Sequence, residues 1–393
     1  MTQVAPPRPK PVTRTEAPFG RTLAALAVAG VFAAGQLYVA IPLVPAMART
    51  WRVSPASATG AVTAFGLAYA VGFLVFGPLS DRFGRRRVLV AGLLATAVTT
   101  LAVAFAGTVE AGYPLRILQG FTTAAFPPVA MAYLGERITP ARRGIAIASL
   151  AAAFIAASSI AQLAGQAVTA ALGWQWVFVG GAVALLLVAA LVRVTLLPDP
   201  TRTTAGPSPL AALKRLARDR TLILLYLLAL TPLAGFVAIY TAVQLSGRFS
   251  GQEMSWLRAG ALPAIVAIPF AARWLGRIPA VRRFGYLMTV AALSAGVLAL
   301  TKPGAVGIGL VMLAFVFAIG TAAPALVEAI GARAAEVRGA AVSVFTAFLF
   351  LGASAGAAMA GAFGPGGFGT VTAVVTGISV LAAALGLLAA RRV

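Results

Sequence analysis

The sequence predicts an all-α membrane protein: twelve transmembrane helices in two pseudo-symmetric six-helix bundles. Three observations carry this. Of 393 residues, 60% are hydrophobic and 10% charged, where a soluble domain carries about 25% charged residues. Apolar runs recur along the whole length, each long enough to cross a hydrocarbon core of roughly 30 Å as a helix, whereas β-barrel spans would be shorter and strictly alternating. Loops of the first half also reappear in the second.

Residues 1–20 hold five prolines and few apolar side chains, and read as a disordered cytoplasmic tail. Span 1, 22–47, is too long for a signal peptide. It carries Gln36 and Tyr38, and Pro42 and Pro45 are expected to kink its outer end. Spans 2 to 6 follow at 57–79, 88–106, 111–134, 144–170 and up to 196. Trp174 and Trp176 mark a tight outer turn before span 6. Residues 198–220 break the pattern with prolines, then Lys214, Arg215, Arg218 and Arg220, as a cytoplasmic linker with a short amphipathic helix on the membrane. Spans 7 to 12 follow at 221–244, 256–275, 284–301, 305–328, 339–362 and 367–390. The bundles are therefore 21–197 and 221–393.

The formal net charge is +22. The Lys and Arg residues concentrate in alternate loops, which by the positive-inside rule places both termini in the cytoplasm and the chain in the cell membrane. That distribution is a topology signal, so no nucleic-acid partner is expected. With no Cys and no His, disulfides, haem, histidine proton shuttles and common zinc sites are excluded. Neither a metal nor a cofactor is expected.

The repeat is visible in the loops. Gly135-Glu136-Arg137 through Arg143-Gly144 matches Gly331-Ala332-Arg333 through Arg338-Gly339. The loop between spans 2 and 3 has a counterpart in Gly276–Arg283, which is basic but has no Asp. Six spans repeated is a transporter architecture.

Two motifs are specific. One is Gly77-Pro78-Leu79-Ser80-Asp81-Arg82-Phe83-Gly84-Arg85-Arg86-Arg87; the other is Arg116-Ile117-Leu118-Gln119-Gly120 in span 4. With the twelve spans, these resemble the major facilitator superfamily over residues 20–390, most closely its bacterial drug and sugar efflux antiporters. One departure is that span 5 lacks the Gly-Pro pair such antiporters usually carry. The resemblance implies a gate at Gly77, Asp81, Arg82, Gly84, Arg85, Arg86 and Glu136, with Asp81 near the start of span 11 and Glu136 answering an arginine of the 82–87 run. From the residues alone, Asp81 can pair with Arg82 or Arg85, or serve as topology-setting charge.

Arg116 is the one basic residue placed deep within a span. Arg193, Arg258 and Arg273 fall near span ends, where they can snorkel to water. Arg116, Gln119 and Gly120 share one helix face. They are expected either to face a central cavity or to bond carbonyls of span 1. Gln36, Tyr38, Gln162, Thr231 and Tyr240 complete the expected substrate cavity, with Gln166, Gln244 and Thr321 as further polar candidates. So sparse a polar set suits a lipophilic or amphipathic solute better than a sugar. No carboxylate falls at mid-membrane. Glu110, six residues before Arg116, is the nearest proton-coupling candidate, and Glu328 is the other. The expected function is alternating-access export of a small solute, driven by proton antiport, by a monomer in the lipid bilayer. The alternatives are a sugar or metabolite facilitator or importer, and remotely a membrane-embedded enzyme.

Overall fold

The computed structural model describes residues 16–199, 209–301 and 303–391. Most of the expected tail and linker residues 200–208 lie outside the described residues.

Among the described residues there are sixteen α-helices, of which fifteen build the twelve crossings and one lies in the linker. Span 1 is α1 (Phe19–Tyr38), a 3-10 turn at Ile41–Leu43 and α2 (Val44–Trp51). Pro42 and Pro45 cannot donate to the helix ladder, so the kink falls where the prolines are. Spans 2 and 3 are α3 (Pro55–Phe83) and α4 (Arg85–Ala104). Span 4 is broken into α5 (Val109–Thr123) and α6 (Pro127–Arg137), with Pro127-Pro128 opening the second piece. Spans 5 and 6 are α7 (Pro140–Leu172) and α8 (Trp174–Thr195), and the linker helix is α9 (Pro209–Leu216). Span 7 is α10 (Arg220–Ser246). Span 8 is broken into α11 (Gly251–Ala259) and α12 (Leu262–Leu275). Spans 9 to 12 are α13 (Ala280–Thr301), α14 (Ala305–Arg333), α15 (Arg338–Phe363) and α16 (Phe368–Ala389). Ten helical stretches among the described residues are long and apolar enough to cross a membrane; the other two crossings are spans 4 and 8, each split into two shorter helices.

Helix starts follow from local chemistry. Ser54 accepts from the Ser57 N–H with Pro55 in the first turn of α3. Asp219 accepts from the N–H groups of Thr221 and Leu222 at the head of α10. Ser250 and Glu253 form a capping box on α11. On the face opposite the Gly77–Arg87 turn, Trp51 donates to the Ala106 carbonyl at 2.7 Å and Trp174 to Thr50 Oγ1 at 2.9 Å, pinning two loops.

Among the first six crossings, α1 packs on α7 and α8, α3 on α5, and α4 on α8. Among the last six, α10 packs on α15, α13 on α14 and α16, and α12 on α14. The two sets meet where α3 lies along α15 and where α7 meets α11 and α12. The small-residue stretch Gly352–Gly356 is a close-packing face, since a methyl at Gly352 or Gly356 would collide with the Leu230 or Ala234 carbonyl of α10. Large apolar side chains such as Val98, Leu187, Leu293, Leu300 and Leu310 are exposed along the flanks of the helices, where only a bilayer makes exposure favourable.

Candidate functional site

The Gly77–Arg87 turn is a charged knot with Arg85 at its centre. Gly84 joins α3 to α4 with φ of 99°, a left-handed conformation that an L side chain resists. The turn brings Arg85 back over the end of α3. Its guanidinium pairs with Asp81 and lies 2.9 Å from Glu136 at the end of α6. It also donates to Ser80 Oγ and, at 3.4 Å, to the Gly77 carbonyl. Of the two arginines offered to Asp81 by spacing, this one bonds it. Arg82 is exposed and lies over the Phe83 ring. Beside Gly77, α15 presents Ser343.

A further carboxylate joins this knot from the chain after α8. Asp199 accepts from the backbone N–H of Arg86 at 3.0 Å and of Arg87 at 3.2 Å. These are free donors at the head of α4, which has no side-chain cap of its own. The Arg86 side chain donates to the Arg193 carbonyl of α8. Arg137 donates to the Pro198 carbonyl at 2.6 Å, and the Leu197 N–H to Tyr133 Oη at 2.8 Å. The segment leaving α8 is thus laced to the first six crossings. Sequence reading missed Asp199, which sits between two prolines in a linker, because nothing local says that α4 and α8 are neighbours.

The repeat extends to these bonds. Arg283 of α13 pairs with Glu328 of α14 and donates to the Leu275 carbonyl, eight residues back, at 3.3 Å. Arg85 likewise donates to the carbonyl eight residues back. The counterpart loop lacks an Asp but not an acidic contact. Glu328 is engaged here near the end of its helix, as its place in the sequence led one to expect.

Arg116 does not face an open cavity. It is fully enclosed. Its Nε donates to the Ala61 carbonyl at 3.3 Å, both terminal nitrogens to the Gln36 carbonyl at 3.3 Å, and Nη1 to Gln119 Oε1. The Phe65 ring covers it at 4.4 Å. Gln119, equally buried, donates to Gln36 Oε1 at 2.9 Å and to Thr100 Oγ1 at 2.8 Å. A guanidinium in an apolar bundle needs an acceptor for each nitrogen, and the kinked end of α1 supplies one as a carbonyl. The second of the two sequence readings, bonding to span 1, describes this arrangement.

Glu110 is exposed in the first turn of α5 beside its cap Thr108. A carboxylate there is favoured by the helix N-terminus and open to solvent. Arg258 departs from expectation in the other direction. Rather than snorkelling, it is 1% exposed, with Nη2 donating to Gln244 Oε1. Arg193 is exposed at its helix end as expected, and the Arg273 side chain lies outside the described residues.

Tyr38, Gln166 and Tyr240, three of the remaining predicted polar residues, lie where the two sets of crossings meet. Tyr38 is buried edge-on to Phe236 at 6.0 Å, and Phe236 lies 4.8 Å from Tyr240. Tyr240 Oη donates to the Leu257 carbonyl at 3.4 Å. Gln166 of α7 donates to Ser255 Oγ at 2.9 Å and to the Gly251 carbonyl of α11. Gln162 and Thr231 satisfy donors within their own helices. None of the seven predicted cavity residues lines the groove of about 830 Å³ that opens sideways between α3, α5 and α15, walled by Thr63, Leu67, Tyr113 and Gly361.

Twelve crossings in two sets of six, a charged knot beside the seam between them and buried polar groups within it define a polytopic membrane transporter. The sequence profile of the Major Facilitator Superfamily matches residues 26–357, and the chain belongs to that family. Its members are transporters and not enzymes. The chain is 30% identical over 267 residues to the MFS-type transporter YybF of Bacillus subtilis (strain 168), covering 64% of this chain and 62% of that one. It is 34% identical over 161 residues to a puromycin resistance protein of Streptomyces alboniger, covering 40% and 31%. It is 27% identical over 232 residues to the inner membrane transport protein YnfM of Escherichia coli (strain K12), covering 57% and 55%. In each case the match spans less than two thirds of the relative's own length.

Proposed function

We propose that the chain exports a small lipophilic or amphipathic solute, a drug-like compound or a metabolite, by alternating access coupled to proton antiport. The observation that carries this reading is the Arg85 bridge from Asp81 to Glu136, at the end of α3 that lies beside α15. The knot lies within the first unit and fixes the end of α3 that packs along α15 of the second, a contact that two rocking units must break and remake. The units are residues 21–197 and 221–393, joined by the linker 198–220, with both termini cytoplasmic and the protein working as a monomer. The solute path is the seam of Tyr38, Gln162, Thr231 and Tyr240. Arg116 and Gln119 hold α1, α3 and α5 in register behind it. The puromycin resistance relative supports export as the direction.

A second reading, a facilitator without proton antiport, is favoured by one observation. Every described carboxylate sits at or near a helix end, in a loop or in the linker, and none lies in the seam. Solute-triggered proton movement in proteoliposomes separates the two. A proton signal that follows solute addition supports antiport, and solute flux with no proton movement refutes it. Loss of export in everted vesicles from cells carrying the protein, across a panel of antibiotics and aromatic metabolites, would refute efflux itself.

A further inference from the structure

The two fully buried arginines differ in how they are satisfied. Every guanidinium nitrogen of Arg116 has an acceptor. Arg258 has one, Gln244 Oε1, while its Nε and Nη1 are buried without a partner. Unmatched donors on a buried cation are the most costly kind of orphan, and they persist where they serve a ligand.

The surroundings of Arg258 are polar in the same unfinished way. Gly251, Ser255 and Arg258 recur at helical spacing on one face of α11, and Gln166 of α7 bonds Gly251 and Ser255. That face is therefore turned to α7. On α7 the residues Gln162, Gln166 and Thr169 share a face, and Gln162 Oε1, Gln166 Oε1 and Thr169 Oγ1 are all buried without partners. The helices run in opposite directions, so one turn beyond the Gln166 contact lie Gln162 on α7 and Arg258 on α11. Unpaired acceptors of α7 and the unpaired donors of Arg258 thus lie on helices that meet at the Gln166 contact, across the two sets of crossings. On the third side, α10 carries Gln244 one turn from Tyr240, whose ring adjoins Phe236. Among the described residues no carboxylate pairs with this cation. Glu253, on the same helix, is exposed and bonded to Ser250.

We propose that Arg258 is the anion-recognising residue of the transport site, and that the solute carries an anionic oxygen group on an aromatic body. The oxygen takes up the free guanidinium donors, and the rings of Phe236 and Tyr240 receive the body. Gln162 and Gln166 accept from any hydroxyl or amide the solute brings. This rests on the transporter reading and deepens it by naming the solute class.

The test uses the full-length protein in detergent and an isosteric pair, naphthoate and naphthamide, with affinity read from dose-dependent thermal stabilisation. The wild type binds naphthoate about tenfold or more tightly than naphthamide, the value of one charge-assisted hydrogen bond. Arg258→Gln removes that preference, and Arg277→Gln, at an exposed cation away from the seam, keeps it. If the Gln variant does not fold, Arg258→Lys decides: it weakens naphthoate and leaves naphthamide unchanged. No preference in the wild type, or a preference that survives at Arg258→Gln or is undiminished at Arg258→Lys, overturns the proposal. Export is measured separately in everted vesicles. Export of neutral solutes without the naphthoate preference leaves efflux standing and anion recognition fallen. An Arg258-dependent preference with no export does the reverse.

Discussion

The Asp199 carboxylate accepts a hydrogen bond from the backbone N–H of Arg86 at 3.0 Å, joining two points 113 residues apart. It does for α4 what an N-cap residue does for its own helix, but from the far end of α8. It also sits where a side chain on Gly84 would have to go: a Cβ at Gly84 would stand 2.5 Å from the carboxyl carbon. Asp199→Ala should lower thermal stability in detergent by about 1 kcal/mol, the usual cost of a lost cap. Gly84→Ala should cost more, about 1–3 kcal/mol, because it adds left-handed backbone strain to the same loss. Equal melting temperatures for wild type and both variants would show that the contact holds nothing.

Arg85 bridges Asp81 and Glu136, so the three should not behave additively. Arg85→Ala removes this shared partner from both carboxylates, whereas Glu136→Gln leaves the Asp81 pair in place. Under the gating proposal, Arg85→Ala slows transport several-fold with solute binding retained, and Glu136→Gln slows it less. The double variant should lose less than the sum of the two single effects, with a coupling energy of roughly 0.5–3 kcal/mol. Purely additive effects on transport rate would argue against a shared knot.

Arg116→Ala leaves the Gln36 and Ala61 carbonyls and Gln119 Oε1 buried without their donor. Each buried acceptor left without a donor costs about 1–3 kcal/mol, so the variant should yield little monodisperse protein. Arg116→Lys, with one nitrogen in place of a planar fork, should be intermediate. A well-folded Arg116→Ala protein that has lost only solute binding would return Arg116 to the transport path.

Asp219 is partly desolvated, yet its bond to Arg333 at 2.7 Å and the N–H groups of Thr221 and Leu222 prevail and hold its carboxyl below the usual range. A carboxylate depressed on folding adds stability that is present above the unfolded value of about 3.9 and is lost as pH falls through the folded one. The melting temperature should therefore fall below about pH 4, and Asp219→Asn should flatten part of that fall. An unchanged acid limb in the variant would place the acid sensitivity elsewhere.

Much of this protein follows from its sequence. Spanning runs appear in composition because a bilayer tolerates few unpaired charges, and Pro42 and Pro45 mark where span 1 bends, whereas the breaks in spans 4 and 8 fall inside runs that read as continuous. Gly77–Arg87 is recognisable because its turn is made by neighbouring residues, and the Arg116–Gln119 spacing shows that they share a face. Where that face points is a different matter. Whether Arg116 meets water or the Gln36 carbonyl depends on how α1 packs against α5, and periodicity carries no record of that.

The long-range contacts were decided by the tertiary structure alone. Asp199 reaches Arg86 because α8 lies beside α4, and Arg283 finds Glu328 because α13 lies beside α14. Arg258, placed near a span end by counting residues, is buried because span 8 breaks at Gly260 and α11 folds its arginine in between α7 and α10. The sequence determined the membrane class, the repeat and the charged turn, since these depend on local composition and on residues within a turn or two of each other. Which buried cation is saturated and which retains free donors depends on the packing of helices far apart in the chain, and only the folded protein decides it.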